Sequence, residues 1–307
     1  MKCSACSNPA VYSQKYNGRN LCKEHFVDLF EQLVKDTLFN INFVNERDRI
    51  AVALSGGKDS VSLLYVLHKI LANKGIEIIA ITVDEGIKGY REGTMKCARK
   101  ICDTLEIDQE IVSYQEYFGF DLDRAVKEGI KPCSVCGVLR KKTLNMAAKR
   151  LGATKVATGH NLDDEVQSIM MNYLKGDMQR LIRLRPKHHR PGLVPRIKPL
   201  QRIPEKEVAI YSMIMEIFEE SVECPYASQS LRSDIKIMMN RLEDQLPGIK
   251  HRTQYGHERL VELYGQRYPR INLSSCRICG EPCVGDACKA CEISARIINR
   301  SSEIPGS

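Results

Sequence analysis

Apolar positions along this chain change period several times, and each change marks a structural element. From Glu24 to Phe43 the residues Phe26, Leu29, Phe30, Leu33, Val34 and Leu38 recur at helical spacing and predict a connecting helix. The pattern then becomes a short continuous run, Arg49-Ile-Ala-Val-Ala-Leu54, as expected of a strand buried on both faces of a parallel sheet. A helical stretch at Val61–Leu71, a second apolar run at Ile76–Val83 and a helix at Arg91–Leu105 follow. Strand Glu110–Ser113, a helical stretch around Arg140–Leu151, strand Lys155–Thr158 and helix Leu162–Leu174 continue the alternation. Strands alternating with helices predict an α/β fold, a parallel doubly wound sheet covered on both faces. Ligands of such sheets sit at the carboxyl ends of the strands, where Ser55–Ser60, Asp84 and Gly159-His160 all fall. Farther on, Glu205–Phe218 and Ser230–Leu246 read as amphipathic helices.

Composition narrows the class. The chain has 307 residues, 43% hydrophobic and 27% charged, which excludes wholesale disorder and permits one large or two ordinary domains. No run approaches the roughly 20 apolar residues of a membrane span, and Met-Lys-Cys-Ser-Ala-Cys at the start lacks the apolar stretch of a secretory signal. The expectation is a cytoplasmic chain without membrane contact. Lys plus Arg exceed Asp plus Glu by 46 − 38 = +8. The window Lys175–Lys206 alone holds ten basic residues against Asp177 and Glu205, so the excess is local. Such a concentration is either a solvated loop or a surface for a polyanion such as RNA. Prolines at 186, 191, 195, 199 and 204 predict that it is a loop and not a helix. With no Trp and 6% aromatic residues, a broad base-stacking platform is not expected.

Thirteen cysteines without an export signal favour metal or redox chemistry over disulfides. Near the start, Cys3-x2-Cys6 is followed by Cys22-x2-His25; near the end, Cys276-x2-Cys279 is followed by Cys288-x2-Cys291. Two tight pairs joined by a short insert are what a tetrahedral zinc ion requires, so two structural zinc ribbons are predicted. Cys283, between the C-terminal pairs, is expected to be a spectator. Cys97 and Cys102 lie in a helical pattern and read as core. His188-His189 falls in the basic window and reads as a phosphate or solvent contact.

Ser55-Gly-Gly-Lys-Asp-Ser60 ends the first core strand. It is neither a Walker A loop nor GxGxxG. Two glycines admit an anion to the backbone, serines at both ends offer hydroxyls, Lys58 adds a full charge, and a helix N-terminus follows. The string resembles the PP-loop of the N-type ATP pyrophosphatases, a superfamily with a HUP-like fold that cleaves ATP between its α and β phosphates. That resemblance covers roughly Arg49 to Leu174 and leaves the substrate open.

The central cysteines carry the next step. Cys133-x2-Cys136 leads into a helix, and Cys224-Pro225 comes much later. Three readings stand side by side: a third zinc site, a pair of catalytic thiols with one carrying a persulfide, or an iron–sulfur cluster held by Cys133, Cys136 and Cys224 only. Three thiolates on a four-iron cube leave one iron open.

The layout as a whole resembles the archaeal and eukaryotic tRNA 2-thiouridine synthetases of the NcsA/TtuA family, nearly end to end. The residues that carry the likeness are the terminal ribbons, Ser55–Ser60, Pro132–Gly137, Gly159-His160-Asn161-Leu162-Asp163-Asp164 and Cys224-Pro225. The resemblance implies a [4Fe–4S] cluster on Cys133, Cys136 and Cys224, ATP with Mg²⁺, and two zinc ions. It implies adenylation of O2 of a tRNA uridine, position 34 being preferred to 54, and sulfur insertion with release of AMP and pyrophosphate. The sulfur donor would be sulfide or a ubiquitin-like carrier, and the protein a homodimer. Ser55, Gly56, Gly57, Lys58, Asp59, Ser60, Asp84 and Gly159 would hold ATP. Arg140 would clamp the adenylated intermediate, and of the two acids opening a helix Asp164 is preferred over Asp163 for metal or substrate positioning. The alternative for the two acids is a cap or dipole role at the helix start, and for Arg140 a solvated position on its helix. Arg183, Arg185, Lys187 and Arg190 would meet tRNA.

The expected organisation is an N-terminal ribbon at 1–27, a linker helix at 28–48 and a catalytic domain at 49–225 containing the basic loop 175–206. A helical segment at 226–271 and the C-terminal ribbon and tail at 272–307 complete it. Related 2-thiocytidine enzymes lack the ribbons. A non-catalytic tRNA-binding scaffold would have lost part of the loop, and an amide or lysidine-type ligase leaves the central cysteines unexplained.

Overall fold

The computed structural model describes residues 1–39, 43–184, 191–218, 224–226, 231–267 and 273–302. Its centre is a five-stranded sheet of β3 (Arg49–Ala53), β4 (Glu77–Asp84), β5 (Gln109–Ser113), β6 (Lys155–Thr158) and β7 (Arg196–Ile197). The order is β5-β4-β3-β6-β7, with every pairing parallel. Period-two alternation sorts the side chains into two cores. Ile50, Val52 and Ala80 join one cluster, while Ala51, Ile79, Ile81 and Val83 join the other.

Helices α1 (Lys23–Phe39), α2 (Lys58–Leu71), α3 (Arg91–Leu105) and α9 (Glu205–Ile214) contribute to the first core. Helices α4 (Tyr114–Phe118), α5 (Leu122–Lys127), α6 (Pro132–Arg150) and α12 (Lys289–Ser302) contribute to the second. Helix α7 (Leu162–Leu174) follows β6, and α8 (Met178–Ile182) follows α7. Helices α10 (Leu231–Gln245) and α11 (Ile249–Tyr264) pack on α7. The doubly wound parallel sheet is therefore as the alternation predicts.

Several boundaries differ from the sequence reading. Helix α6 begins at Pro132, placing Cys133 in its first turn and Cys136 at the start of its second, because proline at the start of a helix loses no hydrogen bond. The basic window is not one continuous loop, which corrects that expectation. Met178–Ile182 is helical ahead of the first proline, with the Asp177 side chain accepting from Arg180 N at 2.9 Å, and Arg196–Ile197 adds the outer strand. Prolines exclude helix only where they stand.

Each terminal ribbon carries a two-stranded hairpin, β1 (Tyr12–Gln14) with β2 (Arg19–Leu21) and β8 (Ser274–Ser275) with β9 (Pro282–Cys283). The first is anchored on Glu207 of α9, a carboxylate 1% exposed that accepts from Gln14 Nε2 at 2.9 Å, Tyr16 OH at 2.8 Å and Tyr12 OH at 3.3 Å. Phe30 stacks on Tyr211 of α9 with ring centroids 3.9 Å apart. The second is held by α6: Asn145 Nδ2 and Lys149 Nζ each donate to Glu281 at 2.7 Å, and Ala290, Ile293 and Ile297 of α12 enter the core beside Leu139 and Leu144.

Candidate active site at the carboxyl edge of the sheet

Ser55–Ser60 leaves β3 at the sheet's carboxyl edge and closes on itself. Ser60 Oγ donates to Gly57 O at 2.9 Å, Ser55 N donates to Ser60 Oγ at 3.1 Å, and Gly57 N donates to Ser55 Oγ at 3.3 Å. Gly56 has φ +84°, and a Cβ there would lie 1.8 Å from Thr94 O on α3, so only glycine fits. A Cβ on Gly159, at the end of β6, would stand 3.0 Å from the Asp59 carbonyl, so Gly159 lets the two strand ends meet. Asp84 ends β4 and accepts from Gly86 N at 2.9 Å. These residues gather where the sequence places an ATP site.

Lys58 Nζ contacts both Asp59 oxygens at 3.1 Å and Glu205 Oε1 at 3.0 Å. Burial opposes its charge, but the Asp59 and Glu205 carboxylates outweigh burial and raise its pKa. Burial raises the Asp59 carboxyl in turn, against the pull of Lys58. A cleft of about 480 Å³ opens on this side between the N-terminal hairpin and α10–α11, lined by Lys15, Lys58, Glu205 and Lys250 among others.

The two acids at the start of α7 separate in role. Both Asp163 oxygens are engaged, one paired with Lys250 and the other accepting from Glu205 N at 2.8 Å. Asp164 forms a capping box with Asn161 and pairs with Arg232 Nη1 at 3.0 Å. Burial holds the Asp164 carboxyl above its ordinary value despite Arg232.

The segments carrying the central cysteines meet beside the residues that follow β4 and β5. Cys133 is exposed and its Sγ donates to Tyr226 O at 3.3 Å, which brings the segment Cys224-Pro225-Tyr226 against the first turn of α6. Cys136 is buried; Tyr114 OH donates to its carbonyl at 2.9 Å, and Arg140 Nη2 lies 3.1 Å from its Sγ. Burial pushes the Cys136 thiol up, with the Arg140 guanidinium opposing. Cys224, half-buried, packs on the same core cluster as Cys136. Among the described residues, two groups of His and Cys have ligand atoms all within 4.8 Å of one another, and neither includes these three cysteines. That argues against a third zinc ion, whereas a four-iron cube is wider than one ion and its thiolates stand farther apart. Three thiols, one open to solvent and one beside a guanidinium, fit a cluster of that kind.

One connection was not visible in sequence. Arg140 Nε donates to Glu85 Oε1 at 2.8 Å, and Arg91 Nε lies 2.8 Å from Glu85 Oε2 as an ion pair without hydrogen-bond alignment. Arg91 also donates to Ser55 O at 3.0 Å and to Val83 O at 2.5 Å. The buried Glu85 thus joins the phosphate loop to the helix that carries Cys136. Glu85 stood in the strand-end string Asp84-Glu-Gly, but nothing local marked it over Asp84. Glu205, Arg232 and Lys250 were missed as well, because their partners are remote in sequence.

The terminal ligand sets converge as predicted. Cys22 Sγ is 3.2 Å from His25 Nδ1 and Cys6 Sγ is 3.7 Å from Cys22 Sγ; Cys279 Sγ is 3.7 Å from Cys288 Sγ. Cys3, Cys6, Cys22 and His25 form one group, and Cys276, Cys279, Cys288 and Cys291 the other, each able to hold a metal ion. Backbone N–H groups, first that of Ala5, bring the Cys3 thiol down to about 6, and the Cys288 N–H leads the same effect at Cys276, also to about 6. Cys283 is buried and lies outside the ligand set, donating to Gly285 O at 3.2 Å. Cys102 is core, its thiol pushed up to about 12 by burial, and Cys97 is partly buried on the same helix. Of the expected tRNA contacts, Arg183 caps α8 and donates to Gln179 Oε1 at 3.0 Å. Arg185, Lys187 and Arg190, with His188-His189, lie outside the described residues. No described helix is long and apolar enough to cross a membrane.

Residues 22–218 match the family described as PP-loop domain, and residues 2–27 match the N-terminal LIM domain of 2-thiouridine synthetase TtuA. The tRNA 2-thiolation protein NcsA of Haloferax volcanii is 34% identical, covering 95% of this chain and 98% of the relative. The tRNA-5-methyluridine(54) 2-sulfurtransferase of Pyrococcus horikoshii is 33% identical over 95% of this chain and 93% of its own. Among solved structures, the U34-tRNA thiolase NcsA of Methanococcus maripaludis with its [4Fe-4S] cluster superposes with a TM-score of 0.85. It is 36% identical, covering 100% of this chain and 98% of that one.

Proposed function

This chain belongs to the PP-loop family of tRNA 2-thiolation proteins, and from that premise we propose that it exchanges the 2-oxygen of a tRNA uridine, at wobble position 34, for sulfur at the expense of ATP. The observation that carries the reading is the path Ser55–Arg91–Glu85–Arg140–Cys136, which ties a phosphate loop to a cysteine on one sheet edge.

In this reading Ser55, Gly56, Gly57, Asp59 and Ser60 receive the phosphates of ATP, with Mg²⁺ sharing their charge, while Asp84 and Gly159 face the nucleoside. The uridine O2 attacks the α phosphate and pyrophosphate leaves into the loop, where the Lys58 ammonium offsets its charge. Adenylation turns an inert carbonyl oxygen into a leaving group, so AMP departs when sulfur takes its place. A four-iron cluster bound by Cys133, Cys136 and Cys224 would supply an iron with an open position for sulfur. Arg140, fixed by Glu85, sets its guanidinium beside Cys136 and is placed to meet the adenylated base; Asp164, fixed by Arg232, positions the opposite side. Cys3, Cys6, Cys22 and His25 at one end and Cys276, Cys279, Cys288 and Cys291 at the other would each hold a zinc ion, which would keep the ribbons folded. Sulfide or a ubiquitin-like carrier as sulfur donor, and a homodimeric assembly, belong to the same reading.

The test is mass analysis of tRNA nucleosides by position after anaerobic incubation of reconstituted protein with tRNA, ATP and sulfide. The expected product is 2-thiouridine at position 34, with one AMP per sulfur. Undiminished thionucleoside from Cys133→Ser, Cys136→Ser or Cys224→Ser protein would overturn the proposal, and sulfur at position 54 would overturn its positional part.

A further inference from the structure

Helix α6 sends three consecutive cations to three different places. Arg140 reaches Glu85 and Cys136, while Lys142 Nζ reaches the Cys291 and Cys288 sulfurs at 3.2 and 3.6 Å. Lys141, between them, is exposed at the outer edge of the sheet, where Arg196 Nη2 of β7 donates to the Lys141 carbonyl at 2.8 Å. Three further cations lie close by, each with a carboxylate of its own: Lys198 with Glu165 at 2.5 Å, Arg232 with Asp164 at 3.0 Å and Arg180 with Asp177 at 3.2 Å. Among the described residues, neither Lys141 nor Arg196 is paired with a carboxylate.

The cations feel one another. Arg196, Lys198, Arg232 and Arg180 all bear electrostatically on Lys141. Burial brings His160 down to about 3, with Lys198, Arg232, Lys141 and Arg196 adding to it. Two cations without counter-charges, set beside three that have them, leave an excess positive charge that an anion would relieve. The place of this patch fixes which anion. The phosphate loop leaves β3, and β7 lies two strands farther out, about 10 Å away at the usual strand spacing. That offset separates the patch from the loop that receives the phosphates, and a strand carrying the target base toward Arg140 and Asp164 would pass over it.

We propose that Lys141 and Arg196, backed by Lys198 and Arg232, seat a backbone phosphate of the tRNA beside the nucleotide being modified. This rests on the tRNA-thiolation reading and adds two residues that the basic window alone does not identify as a pair. Lys141 comes from a helix outside that window, and Arg196 lies on β7 near the window's far end.

The experiment measures tRNA affinity of the full chain across a salt series, with ATP affinity measured in parallel. Lys141→Glu tests the exposed partner with little risk to folding, and the pair Lys141→Met with Arg196→Gln removes both charges. The expected result is a roughly tenfold loss of tRNA affinity for the double variant and a salt slope shallower by about 1, with ATP affinity unchanged. Arg196→Lys, which keeps the charge, should retain most of the affinity. Unchanged tRNA affinity and slope in Lys141→Glu and the double variant would overturn the phosphate seat. So would loss of ATP affinity in the folding-safe Lys141→Glu, which would assign the patch to the nucleotide. An equal loss in Arg196→Lys would overturn it too, by reducing Arg196 to a brace for the Lys141 carbonyl. If the parent protein binds no tRNA, the functional reading itself fails; if the parent binds and the variants match it, only the phosphate seat does.

Discussion

Glu85→Gln is the most informative single substitution. The native carboxylate is 3% exposed and faces two guanidiniums, Arg91 and Arg140, each at 2.8 Å. Glutamine keeps the shape and one acceptor but removes the charge. Arg91, 5% exposed at its side chain, is left as a buried cation whose remaining partners are the Ser55 and Val83 carbonyls and Thr94. Stripping one partner from a buried pair costs about 3–5 kcal/mol. Arg140 is 47% exposed and recovers part of its hydration, so the lower figure, about 3 kcal/mol, is expected. At roughly 2–4 °C per kcal/mol for chains of this size class, the melting midpoint should fall by about 6–12 °C. Calorimetry of the full chain with and without ATP reads the stability. Thionucleoside yield and the rate of Cys136 alkylation read the site, because an Arg140 released from Glu85 no longer holds its place beside that sulfur. A midpoint within about 2 °C of the parent, with yield and alkylation rate unchanged, would refute the claim that Glu85 couples the two halves of the site.

Gly56→Ala should abolish ATP binding and lower stability, because φ +84° and the 1.8 Å approach to Thr94 O leave no room for a methyl; equilibrium nucleotide binding checks this, and retained affinity would contradict it. His160 should remain neutral well below its ordinary pKa of 6.5, since its folded value is about 3, and Lys141→Met should move it upward in an NMR titration. Because the unfolded chain takes up that proton first, the His160 contribution to stability is complete above pH 6.5 and declines as pH falls toward 3; a His160→Gln variant should show a weaker decline, and an ordinary His160 titration near 6.5 would contradict the assignment. Lys142→Met should speed metal loss to a chelator from the C-terminal ligand set, measured by zinc content, while the N-terminal set keeps its metal; equal loss from both would be the contrary result.

What the sequence disclosed was local. The strands are legible because a continuous apolar run such as Ile50–Ala53 has little alternative to the middle of a parallel sheet. Ser55–Ser60 is legible because its glycines and serines act through their own backbone. Both terminal ligand sets are legible from spacing alone, since four donors within two turns determine the metal geometry. The start of α6 was placed late because its first six residues, Pro-Cys-Ser-Val-Cys-Gly, carry no helical periodicity, and the cue was the proline itself. Glu85, Arg91 and Lys250 were invisible for a different reason. Each matters only through a partner brought near by the folded sheet: Glu85 and Arg140 are 55 residues apart, and Asp163 and Lys250 are 87 apart. The short helix Met178–Ile182 was hidden by the prolines that follow it.

The hydrogen-bonded seat of Glu207 makes the N-terminal ribbon something other than an appendage. A truncated chain lacking its first 27 residues would strand that carboxylate without three of its donors and would strip Leu21 and Phe26 from the hydrophobic layer beneath the sheet. Metal lost at the extreme amino end would accordingly be felt as a softening of α9, whose first residue, Glu205, grips the lysine of the nucleotide loop.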